Sequence, residues 1–263
     1  MRTPLSCCVL VVAQLVVAAA ASGQNLLDNG DLDTPGLHES DLAEGWTLSE
    51  GPFVPGLPPD GDFDPNTATF ANFGDHTTEG VAGGVGLWLR AFVGELEDLS
   101  DGDDEQQVFA TLSQTVPATP GLTYELSAWS RFEANYPGAV VNLNEPGTDN
   151  SDPMDGPPSP TNTFLFMEFL DAANGILAGS VELDLRSVQL NDSVWRQHFL
   201  AAIAPPATVN VRVGGAMVDG VINSANPQSA FLDDFSLVVP EPSALALMLI
   251  ATCASIMTRR RRR

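Results

Sequence analysis

Tryptophan and arginine stand two residues apart twice in this 263-residue sequence, as Trp88 with Arg90 and as Trp129 with Arg131. On an extended chain that spacing puts both side chains on one side. An indole offers a flat apolar face to a sugar ring, and a guanidinium holds hydroxyls or uronate carboxylates through paired N–H groups. Each pair is therefore a candidate ligand-binding unit, and Arg212 points likewise from its own alternating segment. A plainer reading competes: each arginine neutralises neighbouring acids and each tryptophan covers a sheet. The acid excess favours it. Trp46 and Trp195 are assigned to the core.

Aspartates make the second constellation. Asp31 and Asp33, at i and i+2, point the same way if the opening segment is a strand. Alternation in the last apolar segment puts Asp233 with Phe231, Phe235 and Leu237, on the inward side. A carboxylate there is costly unless it is paired or coordinated. The alternative is a wet sheet edge for Asp233 and turn-capping roles for Asp31 and Asp33. Asp60-Gly61-Asp62 begins like an EF-hand loop, but Pro65 stands where the loop needs glycine and Ala71 where it needs glutamate, so it is rejected. The seven acids between Glu95 and Glu105 read as a solvated loop.

Composition narrows the chemistry further. The chain carries 34 acidic and 11 basic side chains, net −23, and every basic residue is arginine. Without lysine there is no Schiff base and no P-loop. So acidic a body also repels nucleic acid, whose binding requires cations that displace counterions. His38, His76 and His198 belong to no HExxH or HxH motif, no GxSxG elbow exists, and Cys7, Cys8 and Cys253 all lie near the ends. Nothing singles out a glycosidase carboxylate pair. The expectation is a protein that is not an enzyme, with a body that no disulfide braces.

The two ends read as addresses. Arg2 precedes an apolar run, Val9–Ala21, closed by small residues, so 1–23 is a secretory signal peptide cut by signal peptidase near Ala21 or Gly23. At the other end Val239-Pro240-Glu241-Pro242-Ser243 precedes an apolar stretch and Arg259 to Arg263. As a helix, Ser243–Thr258 spans roughly 24 Å. That is short of a ~30 Å bilayer core unless the arginines snorkel, and they hold the C-terminus on the cytoplasmic side. This tripartite ending, 240–263, resembles the PEP-CTERM sorting signal. The resemblance implies a Gram-negative-type exported protein, held transiently in the inner membrane by a transmembrane helix and processed by an exosortase near Pro240–Pro242. An ordinary tail anchor is the other reading, with Pro-Glu-Pro as a helix-start device.

Between these ends the apolar period is two. Val108, Ala110 and Leu112 alternate with Phe109, Thr111 and Ser113; Tyr124, Leu126 and Ala128 alternate with Glu125, Ser127 and Trp129; Val209, Val211 and Val213 alternate with polar neighbours. Trp195, Phe199, Ala201 and Ile203 fall together on one side of another such segment. This is the pattern of half-buried strands. Thr163–Leu170, apolar on both sides except at Glu168, predicts a central strand, and Asn174-Gly175 after it predicts a tight hairpin. Proline-rich connections and short strands predict one antiparallel sandwich or barrel across 24–239.

The body also carries Asn25-Leu26-Leu27-Asp28-Asn29-Gly30, Gly45-Trp46, Pro120-Gly121-Leu122-Thr123-Tyr124 and Phe231-Leu232-Asp233-Asp234-Phe235 in that order. The series resembles the jelly-roll carbohydrate-binding modules of the galactose-binding-domain-like superfamily, with Asp33 standing where the opening motif usually has glutamate. The resemblance implies an all-β antiparallel jelly-roll β-sandwich. It implies one structural Ca²⁺ where the first and last strands meet, with Asp31, Asp33 and Asp233 as ligands and backbone carbonyls completing six to eight oxygens. It also implies a concave cleft at Trp88, Arg90, Trp129, Arg131 and Arg212. Sugar binding does not come with the fold itself. The expectation is a non-catalytic protein, exported and exosortase-sorted to the cell surface or an extracellular matrix and binding an extracellular polysaccharide. A purely structural matrix protein is the alternative, and a glycoside hydrolase stands well behind.

Overall fold

The computed structural model describes residues 23–34, 43–51, 67–77, 84–94, 107–139, 160–221 and 228–240. The expected signal peptide before Gly23, the acidic stretch Glu95–Glu105 and the expected sorting residues Glu241, Pro242 and Ser243 lie outside them, as does the apolar tail. Contacts divide the chain into two units: Asn25–Leu237, and a second made of Met1–Gln24 and Val238–Arg263. The description below concerns the first.

Ten strands form: β1 (Thr47–Gly51), β2 (Ala68–Ala71), β3 (Gly86–Leu89), β4 (Val108–Pro117), β5 (Thr123–Phe132), β6 (Asn162–Leu170), β7 (Val181–Asp184), β8 (Arg196–Ile203), β9 (Asn210–Gly220) and β10 (Ala230–Val238). Among the described residues the helical elements are short 3₁₀ turns, and no helix is long and apolar enough to cross a membrane. The strands build two five-stranded sheets, ordered β1-β4-β9-β6-β7 (sheet I) and β2-β3-β10-β5-β8 (sheet II). Every pairing of defined register is antiparallel.

Period-two alternation decides which side chains meet between the sheets. Ala110 and Leu112 of β4, Leu126 and Ala128 of β5, and Val211 and Val213 of β9 are buried while their neighbours face out. β6 lies inside sheet I between β9 and β7, the inner place its apolar residues predict. Each fully buried Leu or Phe of this layer contributes about 1.5–3 kcal/mol. The sheets approach so closely at β9 that a Cβ on Gly215 would lie 2.3 Å from Leu232 Cδ1. Trp46 is buried against Phe235, ring centroids 5.0 Å apart, as a core tryptophan should be.

Three expectations are corrected. Residues 25–33 are a turn and not a strand, with Asn29 at φ 49° and Leu32 at φ 59°. Strand alternation therefore does not govern Asp31 and Asp33. In β8 the inward residues are His198 and Leu200; Phe199 and Ile203 are 67% and 64% exposed. The side carrying more apolar residues faces out, because pairing Ala128 with His198 and Leu126 with Leu200 continues the buried face of β5. Trp195 accordingly leaves the core. Third, Asp234 takes φ 50°, which reverses the alternation in the middle of β10. Leu232 and Phe235 both point between the sheets, so Phe231 and Asp233 fall on the outer face of sheet II.

Candidate functional site

The outer face of sheet II gathers most of the candidate residues. Phe231 pairs with Trp88 across β10 and β3. Over them lies the segment Asn72–Thr77: Phe73 packs edge-on against Trp88 at 5.0 Å and Phe231 at 5.8 Å. Gly74 makes this possible, because a Cβ there would meet Phe231 and the Gly86 carbonyl at 3.0 and 3.1 Å. Arg131, 8% exposed, reaches under the segment. Its Nη2 donates to the Phe73 carbonyl at 2.7 Å, and its guanidinium stands 4.5 Å from the Phe231 centroid and 5.2 Å from that of Trp195. Arg90 stands 5.2 Å from the Trp88 ring. Trp129 is stacked at 3.8 Å on His76, which also meets Trp195 edge-on at 5.4 Å.

The sequence expectation placed Trp88, Arg90, Trp129, Arg131 and Arg212 together, and the fold separates one of them. Arg212 lies on the outer face of sheet I, where its Nε donates to Glu168 Oε2 at 2.7 Å across β9 and β6. The other four are in sheet II or, for Arg90, just after β3: Arg90 packs on Trp88, whereas Trp129 and Arg131 pack on His76, Phe231 and Trp195. For Arg212 the neutralising role describes what the side chain touches; Arg131 meets rings and a backbone carbonyl instead.

Beside Trp129 an acidic corner meets an open groove. Asp233, 1% exposed, accepts the His76 N–H at Oδ2 (2.8 Å) and the Asp234 N–H at Oδ1 (2.7 Å). Burial pushes its carboxyl up to about 8, with the Asp234 and Asp75 carboxylates adding to the effect. Asp33 accepts the Val85 N–H at 2.8 Å; burial raises it too, helped by Asp75, Asp31 and Asp234. Asp234 bonds His76 Nδ1 at 2.7 Å. The oxygens suit calcium, and a cation would relieve this mutual repulsion. Among the described residues, however, no three His, Cys, Asp or Glu side chains stand as a group that could hold a metal ion.

The groove, of about 600 Å³, is bordered by Trp129 and Ser127 of β5, Gln197 of β8, Asp234 and Ser236 of β10, and Asp31 of the opening turn. Sequence reasoning missed Asp75, His76, Gln197 and Asp234. Asp234 follows Asp233 directly and was within reach, whereas nothing in Asn72–Thr77 announces that it folds onto the sheet.

No family model and no curated protein matches the chain. Similar solved structures include TmCBM61 in complex with β-1,4-galactotriose, 14% identical over 82% of this chain and 99% of that one, TM-score 0.43. A family 16 carbohydrate-binding module is 17% identical over 81% and 99%, TM-score 0.42. The enzymatically active domain of tailspike protein 4 of bacteriophage CBA120 is 14% identical over 82% of this chain, TM-score 0.47, and the chain spans 21% of its length. Likeness at this level carries no statement about function.

Proposed function

We propose that this is an exported, non-catalytic β-sandwich protein that binds a polysaccharide in the groove beside Trp129. The observation that carries the reading is the composition of the groove. An indole borders hydroxyl, amide and carboxylate groups from Ser127, Gln197, Ser236, Asp31 and Asp234, which suit the hydroxyls of a sugar. Among the described residues no arginine lines it, so the preferred glycan is neutral rather than uronate-bearing. A glycan array probed with the purified protein tests this. Neutral polysaccharide is retained by the native chain and lost by Trp129→Ala, with Gln197→Ala weaker than native. Silence across neutral and acidic glycans overturns it.

That silence would favour a structural role without ligand, for which one observation already speaks: Arg131 is spent on Phe231, Trp195 and the Phe73 carbonyl. Export by a signal peptide and sorting by an exosortase belong to the same proposal and rest on the order of residues in the two ends. Mass spectrometry of the exported chain should find new termini near Ala21–Gly23 and Pro240–Pro242; an intact tail would rule the sorting out. A calcium ion at the acidic corner is supported by the crowding of Asp33 and Asp233 with other carboxylates.

A further inference from the structure

The sequence contains two Asn-Gly dipeptides, Asn29-Gly30 and Asn174-Gly175. Glycine after asparagine leaves the next backbone nitrogen unshielded, free to close on the side-chain carbonyl carbon. Both asparagines take positive φ, 49° and 64°. There the likeness ends. The Asn29 amide is tied at both its atoms: Nδ2 donates to the carbonyls of Thr34 (3.0 Å) and Glu44 (3.1 Å), and Oδ1 accepts the Thr34 N–H (2.9 Å). Ring closure there must break all three bonds. Asn174 is exposed in the turn that follows β6, its backbone N–H held by the Asp171 carbonyl at 3.0 Å. Its side chain has no hydrogen-bond partner among the described residues. One restraint does act there: Asp171 Oδ1 accepts the Gly175 N–H at 2.8 Å, and the Ala173 N–H at 2.8 Å. The reaction requires that Gly175 proton to leave, and a carboxylate facing it both holds the proton and disfavours charge building on the nitrogen.

We propose that Asn174 is a site of spontaneous deamidation in the folded protein, that Asp171 restrains the rate, and that Asn29 is protected. The Gly175 nitrogen attacks Asn174 Cγ, its proton passes to solvent base, and the side-chain nitrogen leaves as ammonia, closing a succinimide. Water then opens the ring at either carbonyl, giving aspartate or isoaspartate; one water is consumed and one ammonia released, with no redox change. The product adds a negative charge to the turn. Isoaspartate also lengthens the backbone by one carbon just before Ile176, which bridges back to Leu170.

The full chain, folded or in denaturant, is held in warm, mildly alkaline buffer and mapped by peptide mass spectrometry and isoaspartate-specific methylation. Folded, Asn174 converts at least about tenfold faster than Asn29, given three hydrogen bonds set against the latter; in denaturant the two rates converge. Asp171→Asn speeds Asn174 several-fold and leaves Asn29 unchanged. If that variant loosens the turn, as far-ultraviolet dichroism and proteolysis would report, Gly175→Ala gives an independent reading. Its methyl, 3.0 Å from Asp171 Oδ2, crowds the attacking nitrogen and slows Asn174 alone. Equal rates at Asn29 and Asn174 in the folded chain, or an unchanged Asn174 while the denatured chain converts, overturns the site. An Asp171→Asn rate equal to native overturns the restraint.

Discussion

The outer faces of the two sheets solve the same problem differently. Both carry arginine on a strongly acidic protein. On sheet I, Arg212 is 39% exposed at its side chain and meets a carboxylate, Glu168, across neighbouring strands. On sheet II, Arg131 is buried and meets rings and a carbonyl, while the acids beside that face, Asp33 and Asp233, are each crowded by Asp75 and Asp234. Pairing like that of Arg212 is screened by water and contributes little. Burial like that of Arg131 commits the side chain to packing, which makes the second face the one where substitutions register.

The largest expected effect is therefore Arg131→Ala. Two ring contacts and a bond to the Phe73 carbonyl disappear, and the segment Asn72–Thr77 loses its floor. Denaturant unfolding should show a loss of about 3 kcal/mol. A loss no greater than that of Arg212→Ala would dissolve the contrast between the faces.

Next comes the acidic corner. Calcium should raise the melting temperature relative to chelator by several degrees, and Asp233→Asn should abolish the response. Identical melting curves would remove the cation from the proposal.

His198 tests the layer between the faces. It is buried, with Nε2 3.0 Å from Gln189 Oε1, and burial, then Arg196, lowers its pKa below the ordinary 6.5. The unfolded chain thus binds the proton more readily, so the native state loses stability as pH falls through 6.5 toward the lowered value. His198→Gln should flatten that part of the pH profile; an unchanged slope would place the titration elsewhere. Smallest of all, Arg212→Ala should cost about 0.5 kcal/mol by the same denaturant measurement, less in high salt.

What the sequence made legible follows from local periodicity. β4, β5 and β9 sort their side chains by a period of two, and one face of each is apolar enough to declare itself. β6 is legible as an inner strand because both its sides are apolar. Where a single residue changes the backbone hand, as Asp234 does, periodicity gives the wrong face beyond it, and Asp233 was placed accordingly. β8 misled for another reason: Phe199, Ala201 and Ile203 outnumber the inward Leu200 and Ala202, and only the pairing with β5 decides between them. Arg212 could not be assigned to a sheet from its own strand, since strand order is a non-local property. His76 was invisible as a partner because Asn72–Thr77 has no periodicity at all.

Asn25 fastens the opening turn to the last strand: its Nδ2 donates to the Phe235 carbonyl and its Oδ1 accepts the Leu237 N–H, while the Leu26 N–H donates to the Leu237 carbonyl. The sandwich therefore begins and ends at one spot. A module closed in this way can be spliced into a host protein through a single short gap, or cut open at another loop with its old ends joined by a brief linker.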